Sequence, residues 1–337
     1  MLRNEPVEAF LAAGLPVIDV RSPGEFKQGH IPGAHNLPLF SNDERAVVGT
    51  LYKKKGRDEA LLEGLRIVGP KMADLVEKAS LIAPGKRIGV HCWRGGERSA
   101  SVAWLLDKAG FTEVVVLRKG YKAFRAHVLG SFGKNRSLIV LGGATGSGKT
   151  ALLALLHARG KQVVDLEGLA NHKGSSFGGI GQQEQPGTEH FENELWAELS
   201  ALDPDRPIWL EDESSTIGRV KIPDGLFAQM RSARVYYVDM PASQRAGRLA
   251  LDYGEQPREE LAQAIQRIAK RVGPQHAKQA LEQLEEGDLQ GVALTVLGYY
   301  DKTYAHGLGK RDPALITTIN ADQTSISNIA EQLAQHE

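Results

Sequence analysis

The chain has 337 residues, 42% of them hydrophobic and 24% charged, so it is long enough for two domains with buried cores. Its 41 basic and 41 acidic residues balance, which excludes a globally basic nucleic-acid-binding protein and leaves only local basic patches. A single cysteine excludes a disulfide scaffold and suits a reducing compartment. No apolar signal core or bilayer-length apolar segment is present, so we expect a cytoplasmic protein.

The first 130 residues alternate between short apolar segments and helical patterns. The predicted strands lie at 15–21, within 29–38, at 87–90 and at 113–117. The predicted helices begin near Ser22 and Gly120 and also cover much of 41–83 and 102–109. Alternation of strands and helices predicts a parallel sheet wrapped by helices.

The first candidate site is the cysteine loop, His91–Ser99, which lies between a predicted strand and a helical pattern. Backbone N–H groups converge at such a position and the helix dipole favours negative charge. Together with Arg94 and Arg98, this setting should populate the thiolate of Cys92, the reactive form of the side chain. The alternative is that Cys92 is only a small buried hydrophobe.

Several separated motifs upstream of Cys92 resemble a rhodanese domain over roughly residues 5–130. They are Ile18–Arg21, Glu25–Phe26, Gly29–Ala34 and Asn36, followed by the cysteine loop. The resemblance implies a cysteine that accepts sulfur or selenium as a persulfide or perselenide. The N–H groups of the loop and the nearby arginines would stabilise that anion.

The same loop also fits the signature of cysteine-dependent phosphatases. His91-Cys92 is followed, after five residues, by Arg98-Ser99. In those enzymes the loop binds phosphate through backbone N–H groups and a bidentate arginine, and the cysteine attacks phosphorus. Because one architecture hosts both chemistries, the loop alone does not separate them.

A polar break at 131–136 predicts a domain boundary, with domains at 1–130 and 135–337. A buried strand then leads into Gly143–Thr150, which satisfies the P-loop pattern in full and precedes a helix over 151–158. In this phosphate loop the backbone of Gly143, Gly146, Ser147 and Gly148 would wrap a phosphate group. Lys149 would meet its charge, and Thr150 is suited to hold a metal ion.

The rest of the chain continues the α/β pattern and then becomes helical. We predict strands at 163–167, 207–213, 235–239 and 314–319, a helix at 189–200, and mainly helices from 257 onward, with breaks at 273–274 and 307–309. The glycine-rich segment 171–181 is predicted to be a lid beside the phosphate site, the alternative being a plain solvent loop. Strand 207–213 ends in Glu211, Asp212 and Glu213, of which Glu211 or Asp212 is expected to contact the metal or its water.

The sequence does not decide whether two basic segments contact nucleic acid. Lys53–Lys55 is expected to be a solvated helix face, and Arg267, Lys270 and Arg271 cluster on one helix turn. The plain interpretation of that cluster is a packed helix pair with a solvated basic edge, and the alternative is an RNA-facing surface.

A rhodanese module followed by a P-loop module resembles the tRNA 2-selenouridine synthase family, and the resemblance spans essentially the full chain. Further shared motifs are Asn171–Ser175, Phe177-Gly178, Phe191–Asn193, Glu211–Ser214, Ile217-Gly218 and Tyr299–Asp301. One departure is Ser215, where a basic residue is expected. It puts in doubt any anion contact assigned to that position.

The resemblance implies conversion of 2-thiouridine at the tRNA wobble position into 2-selenouridine. The sulfur is first alkylated by geranyl diphosphate, and the S-geranyl group is then displaced by selenium from selenophosphate. The implied catalytic residues are Cys92, Arg94, Arg98 and Lys149. The phosphate loop would stabilise the departing diphosphate, and Lys173, Ser175 and Asp212 are predicted to join it in ligand binding. No cofactor or protein-only metal site is predicted, and Mg²⁺ at Thr150 is left open.

The sequence thus predicts an N-terminal rhodanese-like parallel-sheet domain and a P-loop NTPase-like α/β domain with a helical C-terminal region. An ATP-dependent sulfurtransferase or kinase acting on RNA would use the same phosphate loop, and a non-catalytic tRNA-binding module would not need Cys92. These alternatives differ in nucleotide dependence and in the effect of Cys92→Ser.

Overall fold

A computed structural model describes residues 1–335 of the chain. The chain divides into two compact units. The first contains Met1–Ser131 together with Glu192–Glu194, and the second contains Phe132–Phe191 and the residues from Leu195 onward. The polar break predicted at 131–136 lies at this division.

The first unit is built on a five-stranded parallel sheet. In chain order its strands are β1 (Leu2–Glu5), β2 (Val17–Asp19), β3 (His35–Asn36), β4 (Arg87–His91) and β5 (Glu113–Leu117). Their spatial order is β1-β5-β4-β2-β3, which makes β4 the central strand. Because the carboxyl ends of parallel strands share one edge of the sheet, the residue after β4, Cys92, lies at the middle of that edge.

Seven helices accompany this sheet. They are α1 (Val7–Ala12), α2 (Pro23–Gln28), α3 (Asn42–Lys55), α4 (Arg57–Val68), α5 (Met72–Ile82), α6 (Glu97–Lys108) and α7 (Gly120–Ser131). Helix α3 begins at a capping box, in which the Glu44 backbone N–H donates to Ser41 Oγ at 3.2 Å and the Ser41 N–H donates to the Glu44 carboxylate at 2.8 Å. The core of the unit lies between the sheet and α5 and α6, around Ile88, Val90 and Leu106.

The second unit contains another five-stranded parallel sheet. Its strands are β6 (Leu138–Gly143), β7 (Gln162–Val164), β8 (Ile208–Glu211), β11 (Arg234–Asp239) and β12 (Ile316–Asn320), and an antiparallel hairpin joins β9 (Thr216–Ile217) and β10 (Val220–Lys221). The spatial order is β12-β11-β6-β8-β7. Strand β6 is central, so the phosphate loop that follows it also starts at the middle of a carboxyl edge.

Helices α8 to α16 complete the described part of the chain. They are α8 (Lys149–Ala158), α9 (Leu166–Leu169), α10 (Thr188–Ala201), α11 (Asp224–Ser232), α12 (Ala242–Tyr253), α13 (Arg258–Val272), α14 (Pro274–Glu286), α15 (Leu289–Leu308) and α16 (Ile326–Ala334). Helices α13, α14 and α15 pack around their own apolar cluster, which includes Ile265, Ala280 and Val296. The predicted fold, two α/β units with a helical C-terminal region, is confirmed.

The sequence analysis missed several elements and extended one predicted strand too far. Strand β7 ends at Val164 instead of continuing to Glu167, because the Asp165 carboxylate accepts a hydrogen bond from the Gly168 N–H at 2.7 Å and starts helix α9. The edge strand β1, the hairpin β9–β10 and helices α11 and α12 were not predicted. Within residues 1–335 no helix is long and apolar enough to cross a membrane.

Candidate functional site

The cysteine loop connects β4 to α6, as its strand–loop–helix pattern predicts. Cys92 is 97% buried, being only 3% exposed, and its Sγ lies 3.2 Å from Ser99 Oγ. Ser99 in turn donates a hydrogen bond to the Gly96 carbonyl at 3.1 Å. Because the single Ser99 proton is donated to Gly96, the Cys92 thiol is the donor to Ser99 Oγ in this arrangement, and Ser99 can donate to a thiolate only after its hydroxyl turns away from Gly96.

The first residues of α7 hold the cysteine loop in place through backbone hydrogen bonds. The Tyr121 N–H donates to the Cys92 carbonyl at 2.8 Å, and the Lys122 N–H donates to the Trp93 carbonyl at 3.0 Å. Gly120 has φ +60°, and a Cβ there would meet the Arg94 backbone at 2.9 Å. Glycine is therefore required at this close approach, and the loop backbone is fixed before any ligand arrives.

The two arginines predicted to serve the loop differ in their surroundings. Arg98 Nη1 lies 2.8 Å from a Glu25 carboxylate oxygen, and Nη2 lies 3.3 Å from the other. Burial alone would raise the pKa of Glu25, but the Arg98 guanidinium outweighs it and lowers that pKa. Arg94 is exposed. Arg98 must therefore leave or share Glu25 before it can bind an anion in the loop.

A buried charged cluster beside β4 was not found from the sequence as part of the site. The Arg21 guanidinium donates to the Asp19 carboxylate at 2.6 to 3.0 Å and lies 3.8 Å from the Tyr121 ring centroid. His91 Nε2 lies 3.7 Å from the Asp19 carboxylate. Burial dominates and lowers the pKa of His91 to about 4, so the imidazole next to Cys92 is neutral at physiological pH.

The phosphate loop has the left-handed backbone that its glycines allow. Gly146 and Gly148 have φ values of +83° and +82°. The Ser147 side chain is 1% exposed, and within residues 1–335 its hydroxyl has no hydrogen-bond partner. A buried hydroxyl without a partner is costly unless a ligand satisfies it, so this observation supports an anion in the loop.

Lys149 is held inside the loop it was predicted to serve. Its Nζ donates to the Gly143 carbonyl at 3.1 Å and lies 5.4 Å from the Tyr304 ring centroid. Burial alone would lower the pKa of Lys149, but Tyr304 and the carboxylates of Glu167 and Glu213 outweigh it and raise that pKa. The ammonium group is therefore charged whenever a phosphate ligand arrives.

The acidic groups beside Lys149 are Glu167 and Glu213. The Thr150 hydroxyl donates to Glu167 at 3.2 Å, and Glu213 is 6% exposed. Burial is the main cause that raises the pKa of Glu213, and the neighbouring Glu167 carboxylate raises it further. Lys149 lowers this pKa but does not outweigh them. Glu211, the other predicted candidate, accepts the Leu166 N–H at 3.0 Å, and burial and Asp165 raise its pKa.

Asp212 was predicted to bind the ligand, but the structure places its carboxylate elsewhere. It pairs with Arg311, whose side chain is 1% exposed, and lies 3.7 Å from Arg231. Strand β8 ends at Glu211, and the Glu213 N–H donates to the Glu211 carbonyl at 3.0 Å, so the chain makes a tight turn at Asp212. The Asp212 carboxylate is thus engaged by two arginines, and its part in ligand binding stays a prediction. The departure from the family pattern, Ser215, is exposed in the turn that follows.

Two arginines of α12 support the phosphate loop and were not found from the sequence. Arg245 is 4% exposed, donates to the Thr145 carbonyl at 3.1 Å and holds Asp301 through both carboxylate oxygens at 2.9 and 2.7 Å. Arg248 is half-buried, and its Nη2 lies 2.7 Å from the position that a Cβ on Gly148 would take. Arg245 fixes the loop, and Arg248 brings a second cation to it.

The predicted lid folds into a compact turn over residues 173–178. The Lys173 N–H donates to the Gly178 carbonyl at 2.9 Å, and the Phe177 N–H donates to Ser175 Oγ at 3.2 Å. The Lys173 ammonium group lies 5.7 Å from the Tyr253 ring centroid. Lys173 is exposed, while Ser175 lines a pocket that adjoins the phosphate loop.

An apolar pocket for the geranyl chain beside the phosphate loop is implied by the family resemblance, but the sequence did not identify its walls. Its cavity volume is about 60 Å³, within about 530 Å³ of empty space that includes open solvent. Its walls come from the phosphate loop, the lid turn, α12, α13 and α15, through Thr145, Ser175, Phe177, Leu249, Tyr253, Leu261, Leu289, Val292, Ala293, Val296, Leu297 and Tyr300. An anion-binding loop thus opens directly into an apolar space.

Comparison with known proteins gives the same two modules. The model of the tRNA 2-selenouridine synthase AAA domain matches residues 136–336, and that of the rhodanese-like domain matches residues 4–127. A tRNA 2-selenouridine synthase of Nitrosomonas europaea is 37% identical over 74% of this chain, which covers 66% of that protein, slightly less than two thirds. Those of Shewanella loihica and Hydrogenovibrio crunogenus are 34% and 32% identical over 91% and 92% of this chain and 90% and 93% of their own lengths. The chain belongs to the tRNA 2-selenouridine synthase family.

Proposed function

We propose that this chain is a tRNA-modifying transferase that converts wobble 2-thiouridine into 2-selenouridine through an S-geranyl intermediate. Its small-molecule donors are geranyl diphosphate and selenophosphate. The observation that carries the proposal is the apolar pocket that shares Thr145 with the phosphate loop. A ligand that joins a diphosphate to a hydrocarbon chain matches both parts, whereas a nucleotide would place a polar ribose and base there. Membership of the family supports tRNA as the acceptor.

In the first step the sulfur of 2-thiouridine attacks C1 of the geranyl chain. The C1–O bond breaks, diphosphate leaves, and the nucleoside loses its N3 proton. The Lys149 ammonium group and the loop N–H groups stabilise the negative charge that develops on the diphosphate. Arg248, which lies against Gly148, adds a second cation at the same place.

Mg²⁺ would support this step from Thr150 at the end of the phosphate loop. Thr150 and its hydrogen-bond partner Glu167 are the groups that would hold it, because hydroxyl and carboxylate oxygens are the ligands that Mg²⁺ prefers. Bound Mg²⁺ would neutralise charge on the leaving diphosphate.

The second step exchanges the geranyl thiol at C2 of the pyrimidine for the selenium of selenophosphate: the C2–S bond breaks and the geranyl thiol leaves, a C2–Se bond forms, and water cleaves the Se–P bond to release phosphate. The cysteine loop is the proposed site of the selenium donor. Cys92 is proposed to act as the nucleophile of this exchange: its thiolate adds at C2, the geranyl thiol leaves, and selenium then displaces the Cys92 thiolate, so no oxidant is needed. Its sulfur lies 3.2 Å from Ser99 Oγ, which places a hydroxyl beside the reacting atom. Arg94 and Arg98 are proposed to bind the phosphate part of the donor.

Mass spectrometry of wobble nucleosides tests this division of labour. We expect Cys92→Ser to accumulate geranylated 2-thiouridine without selenium, and Lys149→Ala to give neither product. Ser101→Ala, an exposed position on α6, is the matched control for the cysteine loop. Loss of geranylation in Cys92→Ser would contradict separate sites, and normal geranylation in Lys149→Ala would remove the phosphate loop from the reaction.

The alternative with an observation in its favour is an ATP-dependent sulfurtransferase or kinase acting on RNA, because the phosphate loop itself is generic. Competition at the loop separates the two proposals. We expect unlabelled geranyl diphosphate to displace bound labelled geranyl diphosphate, and ATP to displace it only weakly, because the apolar pocket offers a base no hydrogen bonds. Tight ATP binding that depends on Lys149 would favour the alternative.

A further inference from the structure

A second, polar pocket lies beside the lid turn in the same unit. It encloses about 1050 Å³ including space open to solvent. Its lining combines side chains of the lid segment and of α13, namely His172, Ser176, Gly179, Ile180, Glu260, Gln263 and Arg267. The proposed two-step chemistry has not used this pocket.

The polar pocket and the apolar pocket are separated by one turn of chain. Ser175 and Phe177 line the apolar pocket, and Ser176, between them, lines the polar one. Ser176 is held from both sides, since its N–H donates to the Tyr300 hydroxyl at 3.0 Å and its carbonyl accepts from Arg267 Nη2 at 3.1 Å. A molecule in the polar pocket therefore lies next to the place proposed for the isoprenyl donor.

The chemistry of the lining matches the edge of a pyrimidine base. Such an edge alternates hydrogen-bond acceptors with an N–H donor, and single-stranded bases are read along it by amide, carboxylate and guanidinium groups. Gln263 offers a donor and an acceptor, Glu260 an acceptor and Arg267 donors. His172 Nδ1 is buried and has no hydrogen-bond partner within residues 1–335.

Positive charge continues from the pocket along α13. Lys270 and Arg271 follow Arg267 on the next turn, and both are exposed. In the described part of the chain neither forms an ion pair. Cations without carboxylate partners are available to phosphodiesters, the main source of affinity for RNA. The sequence left open whether this cluster is a solvated basic edge or an RNA-facing surface, and its place beside the polar pocket favours the second.

We propose that the polar pocket binds the target nucleoside of a single-stranded RNA loop, with Gln263 reading its base edge and Lys270 and Arg271 contacting the flanking phosphates. The inference rests on the proposed function for the nature of the acceptor. It places the nucleoside sulfur across one turn from the isoprenyl chain, so that donor and acceptor occupy adjoining pockets of a single unit.

Fluorescence anisotropy with a labelled anticodon stem–loop RNA that carries 2-thiouridine tests the pocket without any donor present. Gln263→Glu keeps the shape of the side chain, removes its donor and adds negative charge. We expect the Kd for the RNA to rise about tenfold, the effect of losing one well-placed hydrogen bond and gaining repulsion. Gln266→Glu is the matched control, because Gln266 is also exposed on α13 but does not line the pocket.

An unchanged Kd in Gln263→Glu, or equal weakening in both variants, would overturn the proposal, since the second result would mean that only the overall charge of α13 matters. Binding of labelled geranyl diphosphate is measured on the same variants and should not change. If wild-type protein fails to bind geranyl diphosphate but shows the predicted difference in RNA binding, the proposed donor is wrong and the RNA pocket stands.

Discussion

The apolar pocket predicts strong selection for the length of the isoprenyl chain. Geranyl diphosphate and dimethylallyl diphosphate carry the same diphosphate and differ by five carbons of chain. At about 0.8 kcal/mol for each buried methylene, burial of the five extra carbons contributes at most ~4 kcal/mol, or about a thousandfold in Kd, and it requires the cavity of about 60 Å³ to widen as the chain enters. The pocket walls are apolar, so no polar group has to be desolvated to gain this energy.

A substitution that fills the pocket should remove this selection. Ala293 lines the pocket on α15 and is 9% exposed, so in Ala293→Phe the ring occupies space that the chain needs. We expect the Kd for geranyl diphosphate to rise towards that for dimethylallyl diphosphate, while binding of inorganic diphosphate stays unchanged. Leu294→Phe is the control, because Leu294 is the next residue on the helix and is 44% exposed.

Equilibrium dialysis with radiolabelled ligands measures all three affinities on one protein sample. Equal affinity of wild-type protein for the two isoprenyl diphosphates would refute the assignment of the pocket. The same conclusion would follow if Ala293→Phe, shown to be folded by its unchanged affinity for inorganic diphosphate, still preferred the longer chain by the original factor.

Three further predictions concern single side chains. The folded-state pKa of His91, about 4, lies below its usual value of 6.5, so the stability that this neutral imidazole contributes is present above pH 6.5 and is lost as the pH falls towards 4. The loss of unfolding free energy amounts to ~3 kcal/mol. Urea unfolding at several pH values should show this loss in the wild-type protein but not in His91→Gln. Parallel pH profiles of the two proteins would contradict the prediction. Arg248→Gln should weaken diphosphate binding about ten- to a hundredfold in the dialysis assay, as expected for a charge-assisted hydrogen bond, whereas Arg159→Gln at the other end of α8 should not. Asp212→Asn should cost about 3 kcal/mol of unfolding free energy, because it leaves the buried Arg311 unpaired, and yet bind geranyl diphosphate with wild-type affinity. Loss of affinity for geranyl diphosphate in Asp212→Asn would show that Asp212 contributes to ligand binding.

The local motifs were readable because the sequence encodes their geometry within a few residues. A buried strand, a glycine-rich turn and a helix start place Lys149 and the loop N–H groups together without help from distant segments. The same holds for Cys92, since its strand and the helix that begins at Glu97 are its immediate neighbours. Two α/β modules, their order and their two anion-binding loops therefore follow from the sequence alone.

The surroundings of both loops depend on contacts between residues far apart in the chain. Asp212 and Glu213 are adjacent, and only the twist and packing of β8 decide which one faces Lys149 and which pairs with Arg311. Arg248 reaches Gly148 across about a hundred residues, by the numbering of the two positions.

The apolar pocket shows the same limit, since α12, α13 and α15 each supply apolar residues that a helical pattern assigns equally well to a closed core. The sequence by itself thus determined two α/β modules, a phosphate-loop motif and a cysteine loop. The tertiary structure decided what lies beside the phosphate, because a pocket is the space that helices leave between them, and no local pattern encodes that space.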